Sequence, residues 1–437
     1  MYKSPCILER LSGASVALLL CIWGDSATAV VDGITGPTFN LTAKEDYIST
    51  ADGNTVLAWG YANGNGTMQY PGPTLIVDQG DVVTVTLHNA LPPHGADAPL
   101  PVSIVFPGQE GVTASGGTEG LLTREANTSN NPATPENEAV VTYTFTASRP
   151  GTYLYHTGTH MDLEVEMGLV GALIVRPNSD GQAYGHPDSA FDQEYLFLLS
   201  EMDPKIHELI EAGRRAEVDT AARHPVHWFI NGRNGPDTML KSGNDTPWLP
   251  TQPYNCLPRM HPGEKLLLRL INAGRDLHPF HHHGNNSWLI AHDGRLLESA
   301  SGAGPDLASS DYTITTAPGE TYDALFEWTG KGLGWDIYGH QPGDPLQPNE
   351  YAPDHGKPLP VVLPDPQLAV TIGEFWSGSP FLGQFGVLPP GAGGKNLNAG
   401  YFHMWHSHTE RELTNDDIFP GGMMTMVIIE PPSVPIP

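Results

Sequence analysis

The chain has 437 residues, with 49 acidic against 21 basic side chains and a formal charge of −28 with the histidines neutral. That balance argues against nucleic acid and anionic membrane surfaces as partners, and it concentrates cations near the protein. Glycine and proline make up about a fifth of the residues while apolar content is ordinary, a texture of short strands joined by turns rather than of disorder.

In chain order, Lys3 and Arg10 precede the apolar run Ala14 to Trp23, and Ala27-Thr28-Ala29 offers small residues around a cleavage point. Residues 1–29 therefore read as a secretory signal peptide and the chain as periplasmic or secreted. The bulky Leu20 before Cys21 speaks against lipoprotein processing. No later stretch approaches 18 uninterrupted apolar residues, so no membrane insertion is expected. Cys256 alone remains after cleavage and cannot form an internal disulfide; it reads as a buried or unpaired thiol.

From Pro71 a turn, a strand (Thr74 to Val77), a Gly-Asp turn and an alternating strand (Val82 to Leu87) follow one another. Val141 to Phe145, Gly151 to His156 and Gly168 to Val175 continue the pattern. Residues 30–178 thus read as one antiparallel sandwich. In 179–225 Asp203 is a capping residue, Pro204 suits a first helical turn, and Ile206, Leu209 and Ile210 recur at helical spacing, so this linker carries one short helix. Strand texture resumes at His227 to Gly232, then at Leu266 to Ile271, Thr321 to Trp328, Leu368 to Ile372 and Met423 to Ile429. Pro262-Gly-Glu-Lys before an apolar strand echoes Asp78-Gln-Gly-Asp before Val82, so 226–437 reads as a second sandwich of the same type. The Pro- and Gly-rich stretches 343–366 and 377–399 read as long loops. The expected class is all-β, tandem Greek-key sandwiches with one linker helix.

The chemistry concentrates in three histidine clusters. Leu277-His278-Pro279-Phe280-His281-His282-His283-Gly284 lies between the apolar runs Leu266 to Ile271 and Trp288 to Ile290, and Trp405-His406-Ser407-His408 lies near the C-terminus. Residues two apart in a strand face one side, about 7 Å from each other, so His281/His283 and His406/His408 each present two imidazoles together. Tyr155-His156-Thr157-Gly158-Thr159-His160 is the third cluster. Imidazole suits copper, zinc, iron and nickel, and one site draws ligands from several strands.

These motifs resemble the multicopper oxidases, whose cupredoxin domains carry four histidine motifs. Pro71-Gly-Pro-Thr-Leu with Gly80-Asp-Val-Val-Thr-Val resembles the family's first-domain entry. Ile230-Asn-Gly-Arg and Arg269-Leu-Ile-Asn-Ala-Gly resemble its middle-domain strands. His278-Pro-Phe-His281-His-His283-Gly fits the H-P-x-H-x-H-G motif throughout. By that resemblance His278 would face a type 1 copper, His281 a type 2 and His283 a type 3.

The chain departs from the family pattern at four places. Ser407 replaces the cysteine of H-C-H, Glu412 stands at a second type 1 histidine, Ser103-Ile-Val105 replaces the first H-x-H, and Gly158 replaces the partner of His156. Met423 or Met424 is the axial candidate. A hydroxyl is a poor substitute for the thiolate of a blue-copper site.

Six histidines remain: His156, His160, His281, His283, His406 and His408, enough for one or two coppers and too few for an eight-histidine cluster. His278 and His403 are outer candidates. Asp162, Glu164 and Glu166 are alternative oxygen donors, or exposed carboxylates on a turn. His224, His227, His292 and His340 read as structural. The resemblance implies a two-domain chain, a homotrimer with metal at its interfaces, and a small-molecule or metal-ion reductant. An altered copper oxidoreductase without type 1 copper, a non-catalytic copper carrier or buffer, and an assembly sandwich with a decayed site are the competing readings. A three-histidine site with an open position would also accept zinc.

Overall fold

The two apolar strands with similar lead-ins occupy equivalent places. Val82–Asn89 pairs parallel with Thr38–Ser49 and antiparallel with Val140–Thr146. Lys265–Asn272 pairs parallel with Gln193–Met202 and antiparallel with Thr321–Glu327. The computed structural model describes residues 31–131, 133–240, 246–358, 379–380 and 401–436. The leader expected at 1–29, the strand expected at Leu368 to Ile372 and all but two residues of the loop expected at 377–399 lie outside the described residues.

In the first sandwich one sheet runs, edge to edge, Ile34–Thr35, Gly72–Asp78, Val170–Arg176, Gly151–His156. The other runs Thr55–Asn63, Thr38–Ser49, Val82–Asn89, Val140–Thr146, Thr113–Gly116. Alternation sends Val83, Val85 and Leu87 inward, where they meet Val141, Tyr143 and Phe145 in one core. The second sandwich opposes a sheet containing His227–Ile230, Gln193–Met202, Lys265–Asn272, Thr321–Glu327 and Ser287–His292 to one containing Arg259–Met260, Met424–Ile429, Tyr401–Ser407, His278–His282 and Thr313–Thr316. Phe197, Leu268, Phe280, Phe326 and Trp405 fill the space between them. The chain is thus all-β, with tandem cupredoxin-like sandwiches.

The stretch between the sandwiches is more structured than one helix. Its helix is Pro204–Glu211, with the Asp203 side chain accepting from the Lys205 N–H at 3.0 Å and Ile206 and Ile210 buried. Before it, Gln193–Met202 is a ten-residue strand inside the second sandwich's sheet.

A separate apolar cluster joins the two sandwiches. Ile48, Tyr70, Leu154 and Val170 of the first pack on Leu198, Phe229 and Ile271 of the second, with the Tyr70 and Phe229 rings edge-on at 5.5 Å. Beside this cluster Arg269 is fully buried, donating to Glu194 Oε2 and Thr152 Oγ1 at 2.9 Å each, with Asp323 at 3.8 Å. Apolar area and a neutralised charge cluster together fix the sandwiches against each other.

Candidate metal centre

The motif His278–His282 is itself a strand, rather than the junction between two strands that its flanking apolar runs suggest. It pairs antiparallel with Tyr401–Ser407 so that His281 lies directly opposite His406, and the His408 N–H donates to the Pro279 carbonyl at 2.8 Å. Phe280, His282, Trp405 and Ser407 point into the sandwich and are buried. By the strand period of two, His281, His283, His406 and His408 share the other face.

That face has a metal centre's geometry. Ring nitrogens of His281, His283 and His406 lie within 4.8 Å of one another. His408 lies beside this group of three, its ring centroid 4.8 Å from that of His281 and 5.8 Å from that of His406. The His406 Nδ1 bonds the Ser407 carbonyl at 2.6 Å. A carbonyl only accepts, so the neutral ring carries its proton there and leaves Nε2 with a lone pair. This Nε2 is 3.2 Å from Nε2 of His283. Two nitrogens held at about 2.0 Å by one tetrahedral ion stand about 3.3 Å apart, so a metal that displaces the proton now shared between them fits with little movement of the rings. On the third ring, His281 Nδ1 meets the Thr313 hydroxyl at 2.8 Å, which orients that imidazole.

The rings also hold the protonation state a metal needs. Burial, then the neighbouring imidazoles His406, His281 and His408, push His283 down to about 4. Burial likewise lowers His281 and His406. All three are neutral donors near pH 7.

His278 has another occupation. It is completely buried, with Nε2 2.9 Å from Glu201 Oε2 and Nδ1 3.0 Å from Glu412 Oε2. Burial opposes its charge, but the hydrogen bonds to Glu201 and Glu412 prevail and raise it to about 9. Glu201 itself falls to about 2: burial works against ionisation, and the His278 contact and the Arg223 charge overcome it. Both ring nitrogens are therefore engaged by carboxylates, an arrangement that favours the imidazolium. Ser407, in the cysteine position, is buried and accepts from the Thr409 N–H at 3.1 Å. Cys256 is a buried free thiol bonded to the Leu196 carbonyl at 3.7 Å, pushed up by burial. Met423 and Met424 are buried in the core region, and His403 lies on the core-facing side against Trp328 and Tyr401.

The first-sandwich histidines do not join the four. His156 ends its strand with Nδ1 2.7 Å from the Thr157 carbonyl, and His160 is exposed in a left-handed conformation before the helix Met161–Met167. No metal-holding group among the described residues includes either. The missing imidazoles of that half leave no space behind. Ser103 Oγ bonds Thr159 Oγ1 at 2.8 Å and accepts from the Gly158 N–H at 3.1 Å. A Cβ on Gly158 would stand 2.7 Å from Val105 Cγ1 and 2.9 Å from Ser103 Oγ. Of the three acids that follow, Asp162 is exposed as expected, on a helix rather than a turn, while the other two are not. Glu164 and Glu166 lie on a helix and are buried, Glu164 bonded to Thr157 and Glu166 to Arg223 and the Asp203 N–H.

A second group escapes the sequence reading. Asp336, His340, Glu350 and His355 also bring their ligand atoms within 4.8 Å, so His340 is not isolated. Its signal was the spacing of two histidines and two acids within one Pro- and Gly-rich stretch.

A family model described as multicopper oxidase matches residues 42–180. Laccase 1 of Metarhizium robertsii is 34% identical over 156 residues, 32% of this chain and 21% of that protein. L-ascorbate oxidase of Cucurbita maxima is 30% identical over 177 residues, 40% of this chain and 25% of that protein. The matched stretch spans a quarter or less of these curated relatives' length. Among solved structures, multicopper oxidase mgLAC aligns with TM-score 0.55 at 19% identity, covering 92% of this chain and 87% of that one. A blue copper oxidase from Nitrosomonas europaea aligns with TM-score 0.54 at 20% identity, covering 89% and 85%. At such identities the likeness concerns the fold.

Proposed function

We propose that the chain is a multicopper-oxidase-like, exported copper-binding oxidoreductase, a reading supported by the family model over residues 42–180 and by the fold. Its metal is held by His281, His283, His406 and His408 and it has no type 1 copper. The observation that carries this reading is the 3.2 Å separation of two imidazole nitrogens, the lone pair of His406 Nε2 turned toward His283 Nε2. Imidazole donors suit copper, and the Irving-Williams order favours Cu(II) over the zinc that the same set accepts.

Bound copper supplies one-electron chemistry. The chain's own part is placement. Strand register sets His281 against His406, the Ser407 carbonyl and Thr313 hydroxyl fix ring orientation, and burial keeps the rings neutral. The side at His408 and Tyr312 is open, since Tyr312 is 59% exposed and its ring is 5.6 Å from His281. A small phenol or a reduced metal ion would reach the centre there directly, because no thiolate relay leads through Ser407.

Carriage or buffering of copper is the second reading, favoured by the engagement of His278 by Glu201 and Glu412 at the position the resemblance gives to a type 1 ligand. The signal-peptide pattern of residues 1–29 supports export, and among the described residues no helix is long and apolar enough to cross a membrane. Assembly as a homotrimer is part of the proposal, since it offers His156 and His160 a route to a metal that the single chain does not.

The test is to load the mature protein with copper, remove the excess, and record stoichiometry, optical and EPR spectra, and oxygen uptake with phenols, Cu(I) or Mn(II). One to two coppers per chain without an intense blue band, with at least one lost in His406→Ala, is expected. A strong blue band, or an unchanged copper stoichiometry in that variant, overturns the site. Oxygen uptake separates oxidase from carrier.

A further inference from the structure

The loop 329–358 carries ligands that the first centre does not use. We propose that Asp336, His340, Glu350 and His355 form a second metal site, taking a divalent first-row transition cation and tying this loop to itself. Asp336 Oδ2 is 2.7 Å and Glu350 Oε1 3.3 Å from His340 Nδ1, and the same Glu350 oxygen is 2.8 Å from His355 Nδ1. The two imidazole rings stand 4.4 Å apart. Asp336 and His340 are 4% and 5% exposed. Among the described residues no lysine or arginine forms an ion pair with Asp336 or Glu350. Two carboxylates that converge out of water on one imidazole edge repel each other, and a cation between them removes that cost.

An independent feature points to the same place. The Tyr338 hydroxyl is buried without a hydrogen-bond partner among the described residues, and the Tyr338 ring lies 5.6 Å from that of His340. A metal-bound water is one partner such a hydroxyl would take.

The site is also held in shape before any ion arrives. Trp335, Ile337 and Tyr338 anchor the loop in the second sandwich's core. Asp336 Oδ2 accepts from the Gly356 N–H at 2.6 Å, and Asp354 Oδ2 from the Gly334 N–H at 3.0 Å, so both ends of the loop are pinned together. The donor set selects the ion. Two imidazoles disfavour calcium and magnesium, two carboxylates and no sulfur disfavour Cu(I), and the divalent ions from manganese to zinc remain, copper(II) the most tightly held among them.

The experiment uses the full mature chain carrying His281→Ala and His406→Ala, which removes the first centre, freed of metal and dialysed against zinc or cobalt(II). One equivalent of ion, the visible d–d bands of protein-bound cobalt and a rise in Tm are expected. His355→Ala and Glu350→Gln in that background each weaken binding by at least about tenfold. His355 is partly exposed, so its loss leaves the far-ultraviolet circular dichroism unchanged. A well-folded double variant that binds no zinc or cobalt, or one whose binding ignores both further substitutions, overturns the proposal. Either result is independent of copper at His281 and His406, which is read on the unsubstituted chain.

Discussion

Nδ1 of His278 stands 3.0 Å from Oε2 of Glu412, with Oε2 of Glu201 2.9 Å away on the other side of the ring. A buried Glu-His-Glu triad therefore occupies the place where the resemblance puts a copper ligand. Ser407→Cys alone is expected to leave the copper-loaded protein without a blue band, because the added thiolate would meet an imidazolium with no lone pair to share a metal. Optical spectra of Ser407→Cys beside Ser407→Cys/Glu412→His decide it, and an intense blue band in the single variant would contradict the role given to the triad.

The triad also makes stability depend on pH. His278 is raised to about 9 from an unfolded value near 6.5, so its contribution is complete below the unfolded value and disappears as pH rises through about 9. Glu201 is depressed to about 2, so its contribution is present above the ordinary carboxylate range and disappears as pH falls through about 2. The His278 shift is worth on the order of 3 kcal/mol. Urea midpoints of the metal-free chain should fall between pH 7 and pH 10, and Glu412→Gln should flatten that fall. An unchanged slope in the variant would assign the pH dependence to other groups.

The hydroxyl behind His281 gives a finer test of the metal face. Thr313→Val removes the oxygen 2.8 Å from His281 Nδ1 while keeping the side chain's shape. Such supporting contacts are worth about 10- to 100-fold in metal affinity. Copper competition titrations should show a loss in that range with an unchanged stoichiometry, and wild-type affinity in the variant would remove Thr313 from the site.

Much of this arrangement was legible because it follows simple periods. Val83, Val85 and Leu87 alternate inward as their spacing requires, and the i, i+2 histidines share a face for the same reason. What stayed hidden depends on partners distant in sequence. Glu194 and Glu201 interrupt an apolar run, so Gln193–Met202 does not read as a buried strand. Both acids are neutralised by Arg269, Arg176, Arg223 and His278, arriving from other elements. Glu164 and Glu166 hide for the same reason: three acids within five residues look solvated until Thr157 and Arg223 are placed beside them. The ligands of the second site lie on a loop without period, where only folding brings positions 336, 340, 350 and 355 together.

The closed space at Gly158 leads to the last prediction. Returning a histidine there would restore the family's motif on paper, yet its Cβ would sit 2.7 Å from Val105 Cγ1 and 2.9 Å from Ser103 Oγ, both on the segment that bridges to His156. Overpacking of this kind costs about 1–3 kcal/mol. Gly158→His should therefore lower the urea midpoint without adding a copper, and Gly158→His/Val105→Ala should recover part of the stability by removing the nearer contact. A stable single variant that binds an additional copper would mean that this half of the molecule has kept room for the ligands it lost.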